Sequence, residues 1–290
     1  MTDEASLQVY EERFMDVKLG ICNFCVPGTG MFAPQIVKEF GLDGMSLELG
    51  SYEHGWPLGQ RKIQDLYLAA QQELGIEYPN IGVSDGDNIP FHARPHTKWD
   101  EVVNEEGKTA IAAADYMGIG LVFFSNFNAS SNETDEDLAY TAARYRFFCD
   151  LAAEKGIQIA CENPMSAERQ KQLMEMVDRE NFHLFFDSCN HACMTEYDVH
   201  EILRELYPSY INQMHVKDGV FGENASRVLG TGTSGFYRTI EILKENHYSG
   251  WLILENLYEL LPMRNANPDY FELMKQDIAV LKEAVNKKVS

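Results

Sequence analysis

Short apolar runs alternate with longer amphipathic ones along almost the whole chain. VKLGIC (17–22) reads as a first strand and FAPQIVKEFG (32–41) as a helix closed by Gly41. GMSLELG (44–50) is a second strand. LGQRKIQDLYLAAQQELG (58–75) follows as a long helix, with apolar residues at helical spacing and Gly75 at its end. The beat continues with PNIGVSDGD (79–87), a strand running into a Gly/Asp loop, then a helix over 97–117 and the strand IGLVFFSNF (119–127). A helix over 133–156 opens with acidic residues, which suit the positive end of a helix dipole. IQIACENP, FHLFFD, INQMHVKD and WLILEN then read as strands five to eight. Their helices cover 166–178 with Ser166 as N-cap, 198–207, 234–250 ending at Gly250, and 268–288 opening on Pro268. Residues 1–15 read as a helical extension ahead of the repeat.

The strand runs are continuously apolar rather than alternating, as strands buried on both faces are. Eight β/α pairs of this kind predict an α/β fold, a single (β/α)8 TIM barrel over 17–288 in a one-domain chain of 290 residues. An open doubly wound sheet would bring a Gly-rich turn after its first strand, and GTGM at 28–31 does not have the G-x-G-x-x-G spacing.

Composition narrows the function classes. The formal net charge is −21, from 45 acidic and 24 basic residues. That balance disfavours nucleic acid and anionic membrane surfaces as partners. No apolar run approaches the roughly 20 residues of a membrane helix. The start MTDEASLQVYEER is acidic and polar, unlike a secretory leader, so the expected location is cytoplasmic. The six cysteines are then expected to be reduced. Cys22/Cys25 and Cys189/Cys193 lack the second Cys pair that a zinc site would bring.

The candidate chemistry lies at four strand ends. Glu162, Asp187, His215 and Glu255 close strands five, six, seven and eight. Strand C-termini of a parallel barrel converge on one face, so these side chains would meet there. Buried carboxylates are costly unless a cation compensates them. Three carboxylates and one imidazole make an oxygen-rich cage for one divalent ion, Mn²⁺ first, then Co²⁺, Mg²⁺ or Zn²⁺. Glu48, Asn190, Lys217 and Arg227 are candidates for binding substrate near this mouth. Phe24, Trp56 and Phe127 are candidates for an apolar wall, and His92 and His96 lie farther along the loop after strand three.

In the ENP, DSCN and HVKD stretches, and in GTGTSGFYRTIEILKENHYSGWLILEN, the chain resembles the xylose isomerase-like TIM-barrel superfamily. The resemblance is to its sugar and sugar-phosphate isomerase/epimerase branch, with a ketose 3-epimerase-like pattern. It implies that Glu162, Asp187, His215 and Glu255 bind one divalent metal and that Glu162 and Glu255 are the catalytic acid/base pair. It also implies a small sugar or sugar phosphate as substrate and a dimeric or tetrameric assembly. Proton transfer through a metal-stabilised enediolate would then invert a centre or move a carbonyl. A lyase or dehydratase acting on a keto-sugar or inosose would begin with the same enolate. An endonuclease IV-like nuclease is disfavoured: residue 190 is Asn rather than His, no Asp-x-His follows HVKD, and the chain is strongly acidic.

Overall fold

The computed structural model describes residues 15–28, 30–266 and 269–287. Its strands are β1 (Val17–Cys22), β2 (Gly44–Glu48), β3 (Ile81–Val83), β4 (Leu121–Ser125), β5 (Gln158–Glu162), β6 (Phe182–Asp187), β7 (Tyr210–Val216), β8 (Asp218–Val220), β9 (Glu223–Arg227) and β10 (Gly250–Leu254). All but β8 and β9 form a closed parallel barrel in the order β1-β10-β7-β6-β5-β4-β3-β2. The helices are α1 (Ala33–Glu39), α2 (Arg61–Leu74), α3 (Lys98–Met117), α4 (Asp135–Ala153), α5 (Ala167–Val177), α6 (Asn190–Met194), α7 (Val199–Leu206), α8 (Phe236–Glu245), α9 (Met263–Ala266) and α10 (Tyr270–Asn286). The fold is the (β/α)8 barrel that the alternation predicts.

Local chemistry explains where the elements begin and end. Thr134 caps α4 in a reciprocal capping box with Asp137, and Ser166 accepts from the Arg169 N–H at the start of α5. Gly75 ends α2 at φ 65°, a left-handed conformation that costs glycine little. Inside the barrel, Phe123 and Phe185 stack with centroids 4.3 Å apart. Nearer the strand N-termini, Trp251 lies across Gly20 and Gly44. A Cβ on Gly44 would sit 2.2 Å from Glu77 O and 2.8 Å from the Trp251 ring, so this close approach requires glycine.

Several details differ from the sequence expectation. α8 stops at Glu245, and Gly250 opens β10 rather than closing the helix. The antiparallel pair β8–β9 and the short helix α6 have no counterpart in the periodicity, because each is too short to show a period. Cys189 and Cys193 are joined in a disulfide, with Cα atoms 5.8 Å apart, contrary to the expectation of reduced thiols. Their i, i+4 spacing in one helical turn puts both sulfurs on the same side. Cys22, Cys25, Cys149 and Cys161 are free and buried. Of the helical extension expected over 1–15, all but Met15, which is not helical, lies outside the described residues, as does the role given to Pro268. No described helix is long and apolar enough to cross a membrane.

Candidate metal centre

Glu162 and Asp187 are the last residues of β5 and β6, and His215 pairs in register with Asp187 on β7. Glu255 directly follows β10, where its N–H donates to Val216 O at 3.1 Å. Four neighbouring strand ends thus deliver the four side chains to one place. One ligand atom from each lies within 4.8 Å of the others. His215 Nδ1 is 3.2 Å from Glu162 Oε1 and 3.2 Å from Glu255 Oε2. The ring rests edge-on against Phe123 and Phe185, at centroid distances of 5.2 and 4.7 Å. Its other nitrogen, Nε2, lies 3.5 Å from Cys22 Sγ.

Asp187 divides its two oxygens. Oδ1 accepts the backbone N–H groups of Cys189 and Asn190, each at 2.7 Å. Oδ2 is buried without a hydrogen-bond partner, although the Lys217 ammonium stands 3.2 Å away at ion-pair distance. A buried carboxylate oxygen left over in this way, among two more carboxylates and an imidazole, fits a hard divalent cation. Lys217 also contacts Glu255 Oε2 at 2.5 Å.

The protonation balance follows from this crowding. Burial pushes the Asp187 carboxyl up to about 7, against the pull of Lys217. Burial would also raise Glu255, but His215 and Lys217 outweigh it and hold Glu255 well below the usual carboxylate range. Burial would lower Lys217, yet Asp187, Glu255 and Glu162 together hold it above its ordinary value.

A cavity of about 420 Å³ opens above the four side chains. Glu48, Asn190 and Lys217 line it, as do the rings of Phe24 and Phe127. Glu48 Oε1 accepts from the Ser84 N–H at 3.1 Å and from its hydroxyl at 2.7 Å, while burial raises its carboxyl to about 7. Asn190 donates its amide to Glu162 Oε1 at 3.0 Å. Arg227 does not line the cavity. Its guanidinium turns to Glu223 Oε2 at 2.9 Å and to Ser226 O. Trp56, His92 and His96 are also outside the lining: Trp56 donates to Asp85, and His92 faces Asp137.

Sequence reading missed Asp87, Asn128 and Asn224, all of which line the cavity. Asn224 sits on β9 and donates to Asn190 Oδ1 at 2.8 Å, so it supports the residue that contacts Glu162. Asp87 had a signal, since it follows the end of β3 in the Gly/Asp loop. Asn224 had none, because nothing in the residue pattern announces the hairpin that carries it.

Comparison with known proteins agrees with this architecture. The chain is 26% identical over 245 residues to 2-epi-5-epi-valiolone 7-phosphate 2-epimerase of Actinoplanes sp., covering 84% of this chain and 88% of that protein. It is 28% identical over 145 residues to inosose dehydratase of Glaesserella parasuis, covering 42% of this chain and 48% of that protein. The crystal structure of D-psicose 3-epimerase with D-tagatose from Clostridium cellulolyticum H10 superposes with a TM-score of 0.74 at 14% identity, covering 92% of this chain and 98% of that one. Residues 34–284 match the family described as xylose isomerase-like TIM barrel, and the chain, with its closed parallel barrel, belongs to that family.

Proposed function

We propose that the protein is a divalent-metal-dependent sugar or sugar-phosphate isomerase or epimerase of ketose 3-epimerase type. One observation carries the reading. Glu162 on β5 and Glu255 after β10 flank β6 and β7, and both approach His215 Nδ1 to 3.2 Å. Two carboxylates so placed reach a small substrate from different sides. The epimerase name of the Actinoplanes relative supports the same class of reaction.

Glu162, Asp187, His215 and Glu255 would hold the ion. Their oxygen-rich donor set suits Mn²⁺, Co²⁺ or Mg²⁺ better than a structural zinc. When bound, a divalent ion supplies charge to stabilise oxygens that become negative as a proton leaves carbon. The chain's own groups do the rest. One glutamate takes the proton from the carbon next to the carbonyl, and the other returns one to the opposite face. Asn190 holds Glu162 by its Oε1 and limits that carboxylate's rotation. Phe123 and Phe185 close the site from below and keep water out of the barrel interior. Acid/base groups placed in this way contribute about 10²–10⁴-fold to rate.

A second reading rests on Glu48. Its carboxyl, raised to about 7, holds a proton on part of the molecules at neutral pH. It would serve to protonate a departing hydroxyl, making the enzyme a dehydratase on a keto-sugar or inosose. The inosose dehydratase name of a relative supports this alternative.

A ketose panel incubated with metal in deuterated water separates the readings. Deuterium at C3 with inversion supports epimerisation, and loss of water supports the dehydratase. Glu162→Gln and Glu255→Gln should each abolish turnover in folded protein. A near wild-type rate in either variant would sink the proposal.

A further inference from the structure

We infer that this cavity takes an uncharged sugar or polyol and rejects its phosphate ester. The inference rests on the sugar-enzyme reading above and names its substrate class.

Barrels of this kind often hold phosphate on the loops after the last two strands and at the N-terminus of the following helix. After the seventh barrel strand the equivalent turn here is 230–235, ahead of α8. Its donors are already spent on one internal carboxylate. Asp218, which is 1% exposed, accepts the N–H groups of Gly230 and Gly232 at 2.9 and 3.0 Å. It also accepts the Ser234 N–H at 3.3 Å, the Ser234 hydroxyl at 2.8 Å and the Gly219 N–H at 2.8 Å. A Cβ on Gly232 would fall 2.2 Å from Asp218 Oδ1, so the glycine exists to let the backbone close on that carboxylate. The turn is an anion cradle with a built-in anion. An incoming phosphate would have to displace a buried side chain held by five donors.

The cavity offers no replacement. Among the described residues that line it, Lys217 is the sole cation, and Glu255 and Asp187 hold it at 2.5 and 3.2 Å. Glu48, Asp87, Glu162 and Glu255 line the same space, with Asp187 beneath them. Five carboxylates face one ammonium and the His215 imidazole, which is neutral as a metal ligand, so even a bound divalent ion leaves the ionised site two charges negative. Protons on both Glu48 and Asp87 would bring it only to neutrality. A phosphate monoester carries about −1.5 to −2 at pH 7 and meets repulsion here. Neutral hydroxyls meet the opposite: carboxylate acceptors, the amides of Asn128 and Asn224, and the apolar rings of Phe24 and Phe127.

The test uses metal-loaded protein and matched pairs: D-fructose, D-tagatose and L-sorbose, each against its 6-phosphate. The free member of any pair that reacts should show kcat/KM at least about 100-fold higher, since like-charge juxtaposition is costly. A 6-phosphate that equals or exceeds its free partner overturns the inference. If no pair reacts, the sugar-isomerase reading has failed, and thermal unfolding decides the charge question separately. Millimolar inorganic phosphate should then give no saturable rise in Tm beyond a chloride control of equal ionic strength. A saturable rise would overturn the inference whatever the enzyme turns over.

Discussion

The side-chain amide of Asn190 donates to Glu162 Oε1 across 3.0 Å, and its carbonyl in turn accepts from Asn224. The carboxylate proposed as general base is thereby oriented by an amide that is itself oriented from a separate hairpin. Orientation of this kind affects the barrier more than substrate binding. Asn190→Ala should lower kcat about 10–100-fold while KM changes much less. Asn224→Ala should show the same pattern at smaller size. Steady-state kinetics on the reacting ketose check this, and a change confined to KM would assign both residues to binding alone.

Lys217 is a buried counter-ion to Asp187 and Glu255. Removing one partner of a buried ion pair leaves an uncompensated charge, at a cost of about 3–5 kcal/mol. Lys217→Met should lose roughly that much stability in urea, and saturating Mn²⁺ should return most of it by binding the folded state. Lys217→Arg serves as the charge-preserving control. Equal stability of Lys217→Met and wild type without metal would refute the counter-ion role.

His191 is buried, and its Nε2 lies 3.0 Å from Met165 O, away from the cavity. Burial lowers its pKa to about 4, below the unfolded value near 6.5. The unfolded chain therefore binds the proton more readily between these values. Stability from this group is present above pH 6.5 and is lost as pH falls towards 4, by up to about 3 kcal/mol. His191→Gln should flatten the difference in urea stability between pH 7 and pH 4 relative to wild type. An unchanged difference would show that His191 does not contribute to acid sensitivity.

The residues most legible in the sequence were those with a local cause. A carboxylate directly after an apolar run, as in IQIACE or WLILE, signals a strand end carrying a charge that needs compensation. That signal marks Glu162 and Glu255 in the sequence itself. Arg227 shows the opposite case. Its position before GTG suggested a reach into the mouth, but Glu223, four residues earlier on the same hairpin, draws the guanidinium elsewhere. Asp218 is similar: HVKD and GTGTS stood out as separate stretches, and only the fold joins them into one carboxylate with five donors.

By itself, then, the sequence determined the alternation of strands and helices, the barrel, and which side chains stand at the strand ends. These depend on periodicity and burial, which neighbouring residues encode. The tertiary structure alone decided which donors are already taken and what charge the cavity keeps. Those depend on contacts between residues far apart in the chain, such as Asn190 with Asn224 and Asp218 with Gly232. Loop geometry sets them, and hydrophobic patterning carries no record of it.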